Sequence, residues 1–320
     1  MFVEERFIKC ATYAQPDEIP ILLAALPAAF KKHGRALNEL FAKYPGLADE
    51  HLINFEFERD CPPSYRAGIR ADAWGCVWHN EREGFEAIVR GHPIPRREDI
   101  APYEPPEGLT GYLPHGFMYL RLLDLRGFEE AMMDFAEEPD ELPALLDKVT
   151  SANVRHVEAL CRERPDRMLM FGDDLGMQNG LAIGAEKWCK WMGPCYKRIY
   201  DVCKANGRYV FMHTDGQIYE IMPDLQKAGV DIINPQFRAN GLYNLVRVCK
   251  GKIPICLDLD RQLLPYATPA QLKAHVEEAI SALWLKEGGL AINLELGPEV
   301  PMENMEALLS ALDSMRSYGK

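Results

Sequence analysis

From residue 140 onward, segments of helical period alternate with short β-branched or aromatic runs bounded by Gly, Pro or Asp. Few folds accept that alternation. Residues 139–164 read as a long amphipathic helix, followed by a strand at 168–172 and the loop Asp173-Asp-Leu-Gly-Met-Gln-Asn-Gly180. A helix at 185–205 ends near Gly207, which is placed for a left-handed cap. Residues 209–212 form the next strand, and His213-Thr-Asp-Gly216 is its exit. The cycle repeats: helix 218–227 capped by Gly229, strand 231–234 stopped by Pro235, helix 242–249, strand 253–259, helix 268–287 with Pro269 in its first turn, strand 290–296, and a closing helix at 302–317. Strands expected at 19–26, 52–57 and 117–120 bring the number to eight.

Alternating βα units predict a parallel sheet, either doubly wound or closed. A closed (β/α)8 TIM barrel, a single domain over residues 1–320, is the preferred reading. Asp173, Asp174, His213, Asp215, Asp258, Asp260 and Glu295 all fall at strand exits, which a barrel gathers into one ring. A doubly wound sheet normally offers a Gly-rich phosphate turn, and neither G-x-G-x-x-G nor a Walker sequence occurs. Residues 91–114 contain six prolines and read as an irregular insertion in the N-terminal half.

The chain has 320 residues, 48% hydrophobic and 26% charged, which excludes disordered and coiled-coil classes. Its net charge of −12, from 48 acidic against 36 basic residues, repels phosphate backbones and anionic lipid, so nucleic acid is not an expected partner. Nine cysteines without a C-x-x-C pair fit free thiols in a reducing compartment. The start lacks a basic region followed by an apolar one, and the longest apolar run, 19–30, holds two prolines and is too short to span a bilayer. The expectation is a cytoplasmic protein away from membranes.

His213 and Asp215 stand two apart where a strand leaves the sheet, so both project from one side. They suit shared binding of a divalent metal or a proton-transfer pair; loop and helix capping is the ordinary explanation. Asp173 and Asp174 follow a strand in the same way. Adjacent carboxylates repel, which favours one as an acid, but consecutive extended residues face opposite ways, so one meets the pocket while the other fixes backbone. Gln178, in the same loop, offers an amide to a substrate. Asp258-Leu-Asp260-Arg-Gln262 repeats the arrangement, with Arg261 able to neutralise either acid; substrate binding and a loop-fixing ion pair remain open. Glu295 sits in the apolar run Leu290-Ala-Ile-Asn-Leu-Glu-Leu, where a charge is costly without a cation, which makes it a candidate third metal ligand beside His213 and Asp215. Asp72 and Trp74 lie in Asp72-Ala-Trp-Gly-Cys-Val-Trp78, where aromatics line a planar pocket or simply fill core. No Gly-x-Ser-x-Gly elbow supports serine hydrolase chemistry.

With these motifs placed, the chain resembles the uroporphyrinogen decarboxylase superfamily, which also contains zinc-dependent methyltransferases of corrinoid-linked methyl transfer. The resemblance rests on Asp72 to Trp78, the loop Phe171 to Gly180, His213-Thr-Asp-Gly216 with Gly229-Val-Asp231, Leu257 to Gln262, and Gly288-Gly289 with Val300 to Asn304. True uroporphyrinogen decarboxylases carry an arginine-rich segment after the first strand, whereas residues 21–30 here have no arginine. The methyltransferase branch shows His-x-Cys and a later Cys as zinc ligands, where this chain has His213-x-Asp215 and Glu295. The resemblance therefore implies a methyltransferase-like barrel holding zinc through His213, Asp215 and Glu295. The metal would act as a Lewis acid on a methoxy or methylamine substrate, the methyl passing to a corrinoid protein partner. Asp173 or Asp174 would position the substrate or donate a proton, and Asp72, Trp74, Gln178, Asp258, Asp260 and Gln262 would bind it. A cofactor-free decarboxylase is the alternative, and a homodimer is compatible with either.

Overall fold

Apolar runs bounded by chain-breaking residues become strands, as the alternation predicts. The structure is a computed structural model that describes residues 3–319. Its strands, in chain order, are β1 (Ile21–Ala25), β2 (Gly68–Ala71), β3 (Val77–Asn80), β4 (Ile88–Gly91), β5 (Met168–Gly172), β6 (Tyr209–Thr214), β7 (Ile232–Pro235), β8 (Ile255–Asp258) and β9 (Leu290–Leu296). The chain divides into two compact units. One holds residues up to Gly68, Asn80–Ile88 and the chain from Gln236; the other holds Ile69–His79 and Val89–Pro235.

In the first unit β9 lies between β1 and β8, parallel to both, with Ala24 opposite Glu295 and Asp258 opposite Asn293. Covered on both faces, β9 is buried at every position except Glu295, which explains why it reads as an apolar run rather than an alternating one. The helices Pro269–Leu283 and Met302–Met315 pack against each other beside it. Thr268 and Gln271 form a capping box that starts the former, with Pro269 in its first turn as the sequence predicts.

In the second unit β6 is central, parallel to β5 and β7, with His213 opposite both Gly172 and Asn234. The helix Glu141–Glu163 buries Leu142, Leu145, Leu146, Val149, Val157 and Leu160 at helical spacing against the helix Gly193–Ala205. The helix expected at 185–205 carries a π turn over Trp188–Met192. Pro194 follows at once and has no N–H to give the preceding turn, which accounts for the wider loop.

Two expected strands are helical. Residues 52–57 straddle two short helices, Glu50–Ile53 and Phe57–Asp60, because the Asp49 side chain accepts the Leu52 amide at 3.0 Å and starts a turn that Asn54 ends. Residues 117–120 open the helix Tyr119–Arg126, whose first amides are capped by a carboxylate more than fifty residues away. The strands in βα order are thus six among the described residues, three parallel in each unit, rather than the eight expected for a complete barrel. The proline-rich stretch is irregular apart from one 3-10 turn, Arg97–Asp99. No helix of the described residues is long and apolar enough to cross a membrane. All nine cysteines are free thiols, eight of them buried.

Candidate active site

The second unit builds its polar centre from the register of three strands. His213 on β6 faces Asn234 on β7, and Nδ1 donates to Asn234 Oδ1 at 2.8 Å. That bond fixes the ring and turns Nε2 outward. Nε2 lies 3.3 Å from Asp215 Oδ1. Burial pulls the His213 pKa down, but the hydrogen bond and charge of Asp215, the charge of Asp174 and the Asn234 contact outweigh it and hold the imidazole above its ordinary value.

The paired aspartates after β5 do different work. Asp173 is fully buried. Its carboxylate accepts the amides of Met118 (3.1 Å), Tyr119 (2.5 Å) and Leu120 (2.9 Å) and the Tyr196 hydroxyl (2.6 Å). Burial pushes its carboxyl up against the pull of these donors. Asp174 faces the other way: Oδ2 meets His115 Nε2 at 3.2 Å and Oδ1 accepts the Asp215 amide at 3.1 Å. Burial raises its carboxyl, yet His115 and then His213 and the Asp215 amide bring it below the usual range.

His115 reaches the centre because of what is missing beneath it. A Cβ on Gly172 would come within 2.5 Å of His115 Nδ1, so only glycine leaves the imidazole its seat, and the Gly116 amide bonds the Gly172 carbonyl at 2.8 Å. The His115 and His213 rings stand 5.7 Å apart. The loops after β5 and β6 touch through backbone: Gly216, at φ +83°, would place a Cβ 2.1 Å from the Gly176 carbonyl carbon. The amides of Gly176 and Gln217 bond across this contact to Asp215 and Met177.

One nitrogen or oxygen each from His115, Asp174 and His213 lie within 4.8 Å of one another, an arrangement able to hold a metal ion. Two imidazoles and a carboxylate are a donor set that suits zinc, and Asp215 stands beside them. The sequence reading found His213 and Asp174 but missed His115, which follows the proline-rich stretch with no periodic element around it.

The other expected residues fall as follows. Asp72 accepts the amides of Trp74 and Cys76, the Trp78 indole N–H, and Arg121 Nη1 at 2.7 Å, which fixes the turn between β2 and β3. Trp74 is buried core, with the Arg121 guanidinium 5.1 Å from its ring. Asp124, 3.6 Å from Arg121 Nη1, has its carboxyl raised to about 7 by burial; Arg121 opposes the shift, while Asp72 and Asp173 add to it. No sequence signal marks it, since it lies mid-helix. Gln178 is exposed at the tip of the Met177–Gly180 turn.

Asp258, Asp260, Gln262 and Glu295 lie in the first unit. Asp258 is fully buried, takes both Nε (2.7 Å) and Nη2 (2.6 Å) of Arg261, and accepts Asn293 Nδ2 at 3.1 Å. Arg261 Nη1 reaches on to Glu295 at 2.7 Å, so the cation that offsets the charge on β9 is a guanidinium. Asp260 is clasped by Arg238 and shares its backbone amide with His275 Nε2. Gln262 is exposed, its amide bonded to Asp260.

A strand-end histidine, His213, and carboxylates that follow parallel strands of βα units are the arrangement of an α/β enzyme-like class. The family model described as uroporphyrinogen decarboxylase (URO-D) matches residues 122–315, more than half the chain, and the chain belongs to that family. Its members are enzymes, both decarboxylases and methyltransferases. No curated protein matches the chain. Among solved structures, a dihydropteroate synthase of Xanthomonas albilineans with 4-aminobenzoic acid is 16% identical over 49% of this chain, with a TM-score of 0.31. The chain spans 54% of that structure's length.

Proposed function

We propose that this protein is a metal-dependent methyltransferase of the uroporphyrinogen decarboxylase family, acting on a small methoxy or methylamine compound with a corrinoid protein as methyl acceptor. The observation that carries the metal is the convergence of His115, Asp174 and His213 within 4.8 Å. His115, Asp174 and His213 would hold it, in place of the set His213, Asp215 and Glu295 that the sequence suggests. Glu295 is already committed to Arg261, and Asp215 lies against the His213 edge. A bound zinc supplies Lewis acidity toward a substrate oxygen or nitrogen.

The chain's own residues do the rest. Asn234 orients His213 through Nδ1, and Asp173 holds the backbone at 118–120. A heteroatom that loses its methyl group to the acceptor keeps the bonding electron pair and takes a proton. Elemental analysis tests the assignment. One equivalent of zinc is expected in wild type and in Glu295→Gln, with none in His115→Ala or Asp174→Ala; metal retained by both of the latter would remove the ligand set.

A cofactor-free decarboxylase is the second reading. It is favoured by the carboxylates beside the His213 imidazole, Asp215 at 3.3 Å from Nε2 and the charge of Asp174, which together hold its pKa above the ordinary value. Under it, wild type purified with zinc in the medium carries no stoichiometric metal.

A further inference from the structure

The first unit has a second concavity, at the opposite strand end from Asp258 and Glu295. Ile19, two residues before β1, and Leu290, the first residue of β9, line with Trp284, Leu285 and Tyr318 an open cavity of about 400 Å³. That volume lies within the span of small-molecule sites, ~300–1,000 Å³. Trp284 and Tyr318 meet edge to face, ring centres 5.4 Å apart, and give the cavity an aromatic wall.

The rim's charges are unequally committed. Asp17 is held by Arg6 through two 2.8 Å bonds, and Glu18 lies 3.5 Å from both Arg6 and Arg316. Arg316 also pairs with Asp313 at 3.2 Å. Lys286 lines the same cavity, is exposed, and has no ion pair among the described residues. The wall is also strained. Gln15, a lining residue and not a glycine, has φ of +51° and is pinned there by its amide bond to the Glu287 carbonyl at 2.9 Å. Left-handed backbone at such residues costs about 1–2 kcal/mol each and concentrates where a surface is shaped for a ligand.

We propose that this cavity is a binding site for a planar aromatic anion, its ring against Trp284 and Tyr318 and its carboxylate on Lys286. Nothing in the family assignment requires it, and it stands independently of the metal at His115, Asp174 and His213. The ring supplies the apolar area that the walls can cover. A negative charge on the ligand fits because the rim acids Asp17 and Glu18 already have Arg6 and Arg316, while Lys286 has no paired anion among the described residues.

The test is calorimetric titration of the full chain with 2-naphthoate, with 2-naphthalenemethanol as the neutral comparison. Saturable binding at one site is expected, about tenfold weaker for the alcohol and for Lys286→Met, weakened likewise in Trp284→Ala, and unchanged in His213→Ala. Lys286 is exposed, so its variant keeps the fold. No saturable binding, equal affinity in Lys286→Met, or loss in His213→Ala would each overturn the proposal, the last by placing the probe at the other site.

Discussion

The two adjacent aspartates give the sharpest test of how this site is built. In Asp173→Ala, three backbone amides and the Tyr196 hydroxyl lose their acceptor inside the protein. An orphaned buried donor costs about 1–3 kcal/mol. The carboxylate is itself expensive to bury, as its upward pKa shift records, so the low end applies to each bond. Four bonds then give a loss of ~3–5 kcal/mol, a large part of a domain's usual ~5–15 kcal/mol. Asp174→Asn should behave oppositely. Its carboxylate is about a third exposed (32%) and, among the described residues, is bonded to His115 and one amide, so screening holds the loss to ~1 kcal/mol. Urea unfolding followed by circular dichroism reads the first quantity, and zinc content below each variant's transition reads the second. Asp173→Ala should be much less stable; Asp174→Asn should be nearly as stable as wild type and unable to retain zinc. A loss below ~1 kcal/mol in the Asp173 variant, or an equal loss in the Asp174 variant, would refute these roles for the two carboxylates.

Three further outcomes follow from the same geometry. Arg261→Met strips the fully buried Asp258 of its cation and should cost ~3–5 kcal/mol in denaturant titration; an unchanged midpoint would mean Asp258 is not charged in the fold. Asn234→Ala frees His213 Nδ1 and should weaken zinc binding by about 10–100-fold in a competition titration, without loss of the first unit's helices. Burial lowers the His275 pKa in the folded state. The unfolded chain therefore binds that proton first, and stability present above pH ~6.5 is lost as pH falls toward the folded pKa. His275→Gln should flatten the acid limb of the stability curve.

How much of this was legible depended on where each hydrogen bond goes. The helix Leu242–Cys249 and the strands Met168–Gly172 and Leu290–Leu296 were readable to the residue, because an apolar run and a glycine, proline or aspartate at its edge are local signals. The helix Tyr119–Arg126 was not. Its first amides are satisfied by Asp173, so no capping residue stands before it, and Phe117-Met-Tyr-Leu120 reads as a strand. At 52–57 the apolar positions alternate as in a strand, while the local signal that decides the matter, Asp49 capping Leu52, lies before the run. In the site, His213 announced itself by its place at a strand exit. His115 gave no such sign, since what admits it is the absent side chain of Gly172 more than fifty residues later. Glu295 reads in the sequence as a charge needing a cation and so as a candidate metal ligand; Arg261, which bonds it, lies three residues beyond Asp258, and sequence spacing does not say how far its guanidinium reaches.

The contact between Gly176 and Gly216 has a consequence for how the centre is held together. With main chain pressed on main chain and amides crossing in both directions, the stretches bearing Asp174 and Asp215 are joined into one piece. His115 is carried by a separate segment, seated on Gly172 and tied there by the Gly116 amide. The three side chains of the candidate donor set are thus held by two different means, Asp174 and His213 on strand exits joined through main chain and His115 by the space that Gly172 leaves.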